Sequence, residues 1–271
     1  MATPNVAIVS GYGINCETET AFAFTRAGAV ATLIHINDLI EAPGKLQDYQ
    51  ILTFPGGFSF GDDTGSGNAL ANKVRHSALW DALQRFIERD SLTLGICNGF
   101  QVLVNLGLLP ALHGRYGERH VALDHNASAT YTCRWVDIAL AGDSPWTQNI
   151  PTISLPVAHG EGRFYAPPDT LRTLLEKRLV AARYVHGEVA AYFGLPPNPN
   201  GSLEDIAGIT DETGKIFGLM PHPERALSFY HLPHWTLLQQ ILLRKKKEIP
   251  TEGPGMKIFK NAVAHFMEES S

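Results

Sequence analysis

Cys97 stands between two glycines in Gly95-Ile96-Cys97-Asn98-Gly99. An apolar run, Leu92 to Ile96, leads into it and a helical pattern from Gly99 to Leu106 leads out. A cysteine on such a strand-to-helix elbow is lifted above the sheet, and small neighbours are needed because the turn crowds backbone against backbone. The helix start behind it favours a thiolate and offers an amide to an oxyanion. The same residues would also suit a buried cysteine in a tightly packed turn. A nucleophilic thiol needs a base and a group to orient that base. Met220-Pro221-His222-Pro223-Glu224 offers both. In an extended segment, residues two apart project to one side, so the Glu224 carboxylate can reach the His222 imidazole and fix its tautomer. Without Cys97, the segment reads as a proline-rich turn with Glu224 in the first turn of a helix; with it, the base and its orienting acid.

Two further segments could complete a site. Pro55-Gly56-Gly57 follows the apolar run Ile51 to Phe54, and two glycines there let amides approach a ligand closely. His159-Gly160-Glu161-Gly162-Arg163-Phe164 gathers donors, an acid and two flexible joints into one loop. It suits a small zwitterion, with amides or Arg163 towards a carboxylate and Glu161 towards an ammonium, or it suits a subunit contact. Gly61-Asp62-Asp63-Thr64-Gly65-Ser66-Gly67 is glycine-rich but lacks the Gly-Lys-Ser/Thr ending of a phosphate loop. Asp62 and Asp63 there either meet a cation or stand as solvated loop carboxylates.

The elements that must position these residues follow from periodicity. Strands are expected at Val6 to Val9, Ala31 to Ile36, Ile51 to Phe54 and Leu92 to Ile96, alternating with helices. Asn15 is placed to cap the first helix, which carries Glu17 and Glu19 in its first turn and ends at Gly28. A single helical stretch is expected from about Ala69 to Arg89. This alternation implies right-handed βαβ units and a parallel sheet. Beyond Pro110, strand-like runs at Tyr131 to Ala139, Ile153 to Ala158, Leu179 to Tyr184, Ile206 to Thr210 and Ile216 to Met220 have few helices between them. They predict an antiparallel extension. Pro196 to Gly201 is a loop, and from Glu224 onward the chain reads as helical, ending in an amphipathic piece from Met256 to Met267. The fold class expected is α/β: three layers, an open and mostly parallel sheet with helices on both faces. The chain is expected to form one domain over 1–271, with a helical C-terminal tail over 245–271.

Composition bounds what this fold can serve. The chain has 271 residues, 44% of them hydrophobic, enough for a full core without a disulfide or metal staple. A net charge of −5 argues against general affinity for nucleic acid or anionic membrane. The basic run Arg244 to Lys247 fits a solvated helix end. Three cysteines with no Cys-x-x-Cys pair make neither a disulfide framework nor a zinc site, so no metal is expected. The opening residues show no basic and apolar leader, and no run approaches membrane-span length, so the chain is expected to be soluble and cytoplasmic.

Taken together, four motifs resemble class I (triad-type) glutamine amidotransferases: Gly95 to Gln101, Pro55 to Asp62, His159 to Phe164 and Met220 to Arg225. More narrowly, these motifs and Asn15-Cys16-Glu17-Thr18-Glu19-Thr20 resemble the glutaminase subunits of phosphoribosylformylglycinamidine synthases, over about Val6 to Phe229. Cys133-Arg134-Trp135-Val136 is similar to a central strand of that subunit. Departures are Gly11-Tyr12-Gly13, where the family pattern is more basic and contains proline, and the tail past Arg244. The resemblance implies a flavodoxin-like amidotransferase fold and a glutaminase forming a cysteine thioester. Cys97 would attack the glutamine amide, His222 would move protons and Glu224 would orient it. Gly57 and Asn98 amides would hold the oxyanion, while Gln101, His159, Gly160, Glu161, Gly162 and Arg163 would help seat L-glutamine. Ammonia would pass to a synthetase subunit (PurL), with or without a small bridging subunit (PurS). ATP and Mg²⁺ are expected in that partner, where formylglycinamide ribonucleotide is aminated, and no cofactor is expected in this chain. A glutaminase serving another acceptor, and a catalytically silent module on the same fold, are the rival readings.

Overall fold

The computed structural model describes residues 3–150 and 152–268. Its centre is a nine-stranded sheet. Five strands run parallel: β1 (Asn5–Ser10), β2 (Val30–His35), β3 (Ile51–Phe54), β4 (Leu92–Ile96) and, from the far end of the chain, β11 (Ile216–Leu219). Every residue of β3, β4 and β11 is buried. That is the pattern of strands covered on both faces, and it explains why their sequences are continuous apolar runs without alternation. β2 sits at the edge, with Val30 and Leu33 exposed.

The rest of the sheet is antiparallel, as the second half of the sequence predicts. Beside β11 lie in turn β10 (Ile206–Thr210), β9 (Val180–Val185), β6 (Thr132–Leu140) and β7 (Thr152–His159), each reversing direction on its neighbour. Cys133 to Val136 therefore belongs to the strand next to the sheet's edge, not to a central one. A second, two-stranded sheet pairs β5 (Ala122–His125) with β8 (Glu161–Tyr165). The segment expected as a loop after Ala158 is thus the end of β7, a one-residue bend at Gly160, and β8.

Helices cover both faces in two packed groups. On one, α1 (Glu17–Ala27) packs against α9 (Met256–Glu268), with the Phe24 and Phe259 rings edge to face at 5.0 Å. The other contains α3 (Asn68–Arg75), α4 (Leu79–Glu88) and α5 (Asn98–Asn105), together with the short α2 (Ile36–Glu41) nearby. The single helix expected over 69–89 is broken at Ser77, whose hydroxyl donates to the Val74 carbonyl and accepts from the Leu79 amide at 3.3 Å. A serine that bonds locally offers the backbone an alternative to the helical ladder.

Other differences have equally local causes. Asn15 does not cap α1. Cys16 takes the N-cap position without a side-chain cap, and Gly28 closes the helix in the left-handed conformation as expected. Two helices were not foreseen in the second half, α6 (Pro168–Glu176) and α7 (Glu188–Phe193). Proline at the start of α6 is the legible signal, since it fits the first helical turn. From Pro223 the chain makes two 3-10 turns, Pro223–Arg225 and Phe229–His231, before α8 (Trp235–Arg244), whose basic end is solvated. Within the tail, helix begins only at Met256; residues 269–271 lie outside the described ones.

Candidate active site

The carboxyl ends of β1, β3, β4 and β11 lie side by side, and each delivers one part of the site to the same sheet edge, where ligands of open α/β sheets bind. Because β10, β9, β6 and β7 alternate in direction, β7 also ends there and brings His159.

Cys97 follows β4 at φ 51° and ψ −105°, outside the conformations a residue with a side chain ordinarily adopts. Such a backbone costs about 1–3 kcal/mol and persists only when its surroundings enforce it. Here the Cys97 amide donates to the Leu219 carbonyl at the end of β11 at 2.8 Å. The flanking glycines are obligatory. A Cβ on Gly99 would lie 1.7 Å from the Phe54 carbonyl oxygen, and one on Gly95 would lie 2.6 Å from that of Gly99. Removing both side chains lets α5 press onto β3 and β4, so its N-terminus opens under the cysteine sulfur.

His222 emerges from β11 and its amide donates to the Pro156 carbonyl of β7 at 2.8 Å. Its Nδ1 meets a Glu224 carboxylate oxygen at 2.6 Å, with both side chains buried. The contact does not arise from an extended strand. Pro223 to Arg225 form a 3-10 turn that curls Glu224 back onto the ring. Nε2 of His222 is buried and has no hydrogen-bond partner among the described residues. Burial alone would depress this imidazole. The Glu224 carboxylate, then the Cys97 and Cys16 sulfurs, outweigh it and hold His222 well above the usual histidine range.

Gly57 lies opposite Ile14 in an isolated antiparallel bridge at φ 152°, where a Cβ would strike the backbone of Gly13 to Asn15 within 2.6 to 2.8 Å. The Asn15 and Cys16 amides both donate to the Gly56 carbonyl, at 3.1 and 3.2 Å. The peptide is planar and trans, so the Gly57 N–H points the opposite way, off the β1–α1 loop. Among the described residues, neither that amide nor the Asn98 amide at the start of α5 donates to a protein acceptor.

The remaining expected residues form a polar frame around the site, buried at Asn98, Gln101 and His159 and half-buried at Glu161 and Arg163. Asn98 donates from Nδ2 to Gln101 at 3.2 Å and to Asp62 at 3.3 Å, and Gln101 donates to the Glu161 carbonyl. Burial raises the Asp62 carboxyl above its usual value, while Asp63 stays exposed. Glu161 accepts from the Ser66 amide at 3.0 Å and lies 3.6 Å from His125. Arg163 is paired with Asp124 across the small sheet at 2.7 Å. The acid and the guanidinium expected to meet a zwitterion thus already have protein partners. Gly160 forms the bend between β7 and β8, and Gly162 leaves room for the His159 ring, 2.7 Å from where its Cβ would be. His159 shares 3.0 Å with Asn126 through Nδ1; burial, then the nearby His222, lowers its pKa to about 4, so it is neutral.

Sequence reasoning missed three contributors. Asn126 binds the Thr130 and His159 carbonyls besides the His159 ring. Cys16 and Arg225 adjoin His222: the Arg225 guanidinium donates to the Cys16 sulfur at 2.9 Å. Both lie inside motifs already singled out, so a signal existed. No pattern of types and spacing, however, brings residue 16 to residue 225.

Comparisons with known proteins place the chain as a whole. Residues 3–266 match the family model of the CobB/CobQ-like glutamine amidotransferase domain. The chain is 51% identical over 267 residues to a phosphoribosylformylglycinamidine synthase subunit PurQ of Methanococcus maripaludis, covering 97% of each. It is 42% identical over 253 residues to the subunit of that name in Dehalococcoides mccartyi, covering 93% of each. A chain of the solved PurLQS structure from Thermotoga maritima superposes with a TM-score of 0.70 at 30% identity, over 98% of this chain and 100% of that one. A Thermotoga maritima glutamine amidotransferase structure at 13% identity, with a TM-score of 0.51, shares the fold. The chain belongs to the CobB/CobQ-like glutamine amidotransferase family.

Proposed function

We propose that the chain is the glutaminase subunit of a phosphoribosylformylglycinamidine synthase. The observation that carries this reading is the union of a strained Cys97 elbow with a buried His222–Glu224 pair at 2.6 Å on one sheet edge. The Cys97 sulfur attacks the side-chain amide carbon of L-glutamine. The oxyanion that forms is held by the Gly57 and Asn98 amides, which the fold leaves undonated and fixed in direction. His222, kept protonated at rest by Glu224 and the neighbouring sulfurs, gives its Nε2 proton to the departing ammonia. A glutamyl thioester remains on Cys97. Water, deprotonated by the now neutral His222, then displaces glutamate from the sulfur and leaves His222 protonated again, as at the start.

Ammonia passes to an ATP- and Mg²⁺-dependent synthetase subunit of the PurL kind, with or without a small PurS-type bridge. It aminates formylglycinamide ribonucleotide to the amidine in purine synthesis. The named relatives and the PurLQS neighbour support this acceptor over others. Gln101, His159 and the β7–β8 bend act as the frame of the glutamine pocket in this reading, with backbone groups meeting the substrate.

The deciding experiment is incubation of the full chain with a glutamine-mimicking chloroketone, followed by mass spectrometry. Labelling at Cys97 that glutamine suppresses is expected. Labelling at exposed Cys133 with none at Cys97, or labelling of Cys97 that glutamine leaves untouched, would overturn the reading. Gly57→Ala, which forces a side chain into the β1–α1 loop, should slow the Cys97 reaction by ~10²–10³, the usual loss for one oxyanion donor.

A further inference from the structure

Cys16 is fully buried, yet the reaction sequence above gives it no role. Its backbone and its sulfur face different parts of the site. The amide donates to the Gly56 carbonyl at 3.2 Å, and so helps set the peptide plane that aims the Gly57 N–H. Its carbonyl is pinned by the Thr20 hydroxyl at 2.6 Å. The sulfur accepts from Arg225 at 2.9 Å and lies 3.3 Å from the Asn15 side-chain oxygen, to which the thiol can donate. The ring of His222 lies beside it, in a space that exists only because residue 56 has no Cβ: one there would sit 2.7 Å from the imidazole and 3.3 Å from the Cys16 sulfur.

A metal ion is one conceivable use of this corner, since the ligating atoms of Cys16, His222 and Glu224 fall within 4.8 Å of one another. The Arg225 guanidinium on the sulfur opposes it, because a cation there would meet a fixed positive charge in a dry site. The remaining use is mechanical and electrostatic.

We propose that Cys16 is a positioning residue that couples the oxyanion peptide to the base, its backbone holding the Gly56–Gly57 plane while its sulfur seats Arg225 and bounds the His222 ring. This rests on Cys97 and His222 acting as nucleophile and base. The groups facing the imidazole and this sulfur are Glu224 and Arg225 on the 3-10 turn, Cys97 before α5, His159 from β7 and, through Arg225, Glu19 on α1. The sulfur is among those that raise His222. Removing it should therefore move the His222-governed limb of the pH–rate profile to lower pH.

The test is the pH dependence of Cys97 labelling by the chloroketone in the full chain, with Cys133→Ser to remove the exposed thiol. For Cys16→Ala the maximal labelling rate should fall ~10–100-fold, with half-saturation within about twofold and the limb displaced to lower pH. Cys16→Ser, which keeps an acceptor for Arg225 and a donor for Asn15, should recover most of the rate. An Ala variant that matches the parent in rate and limb overturns the proposal. So does a Ser variant no better than Ala, which would leave only packing volume. Should Cys16→Ala not fold, Arg225→Gln takes its place: a displaced limb supports the coupling and an unmoved one refutes it. Absence of glutamine-protected labelling in the parent would instead remove the triad reading itself.

Discussion

At the scale of single residues, His159 and Gly99 show how little freedom the site leaves. His159 is neutral in the fold, with a pKa near 4 against about 6.5 in the unfolded chain. A depressed pKa means the unfolded state takes up the proton first. Stability from this residue is therefore whole above pH 6.5 and is lost as pH falls from there through 4, by roughly 3 kcal/mol. Denaturant midpoints across that window should fall less steeply for His159→Gln than for the parent, and equal slopes would show that His159 is not the sensor. Gly99→Ala places a Cβ 1.7 Å from the Phe54 oxygen, and shifting α5 to relieve it would spoil the elbow. About 3 kcal/mol or more should be lost, as overpacking against immovable backbone is the costliest kind, and urea unfolding would measure it. The need for these glycines was legible in the sequence, because only a crowded elbow brackets a cysteine with them. The pairings of Glu161 with Ser66 and of Arg163 with Asp124 were not. Asp124 meets Arg163 only because β5 pairs with β8, four- and five-residue strands with no periodic signal of their own, and Ser66 reaches Glu161 from the distant loop before α3.

Elements are tied to one another by a few buried polar groups. Asp137 on β6 is buried; it accepts from Ser154 on β7 at 2.6 Å and from the Ala190 amide in the first turn of α7 at 2.9 Å. It thus caps a helix that has no capping side chain of its own. Asp137→Ala should cost about 2–3 kcal/mol, from the lost cap and the stranded partners, and thermal melting is the direct check. Elements built on long periodic or continuous apolar runs, such as β3, β4 and β10, could be read from sequence to within a residue. Those depending on a capping partner far away could not. For α7, only the fold reveals that an aspartate fifty residues upstream supplies the missing acceptor.

The whole molecule closes its active site from behind. Gly255 lies against the Pro223 carbonyl, its virtual Cβ only 2.0 Å away, and the Gly253 and Gly255 amides bond to Leu227 and Ala226. α9 then packs on α1 and on the turn that carries Glu224. Phe259→Ala should lose about 3–5 kcal/mol by opening a cavity beside Phe24. Glutamine-protected labelling of Cys97 should survive in the fraction that stays folded. The tail was legible as an amphipathic helix, but its role as a brace for the base was not, since periodicity shows a buried face without showing what it covers. The strand order has a last consequence, for the timing of synthesis. β4 and β11 are neighbours in the sheet, although the chain between Ile96 and Ile216 makes α5, the small second sheet, two helices and all the extension strands. A ribosome finishes the Cys97 elbow long before it makes His222. From Cys97 to His222 the emerging chain holds a cysteine with neither its imidazole nor its brace, so the elbow stands without its partners until the extension strands are made.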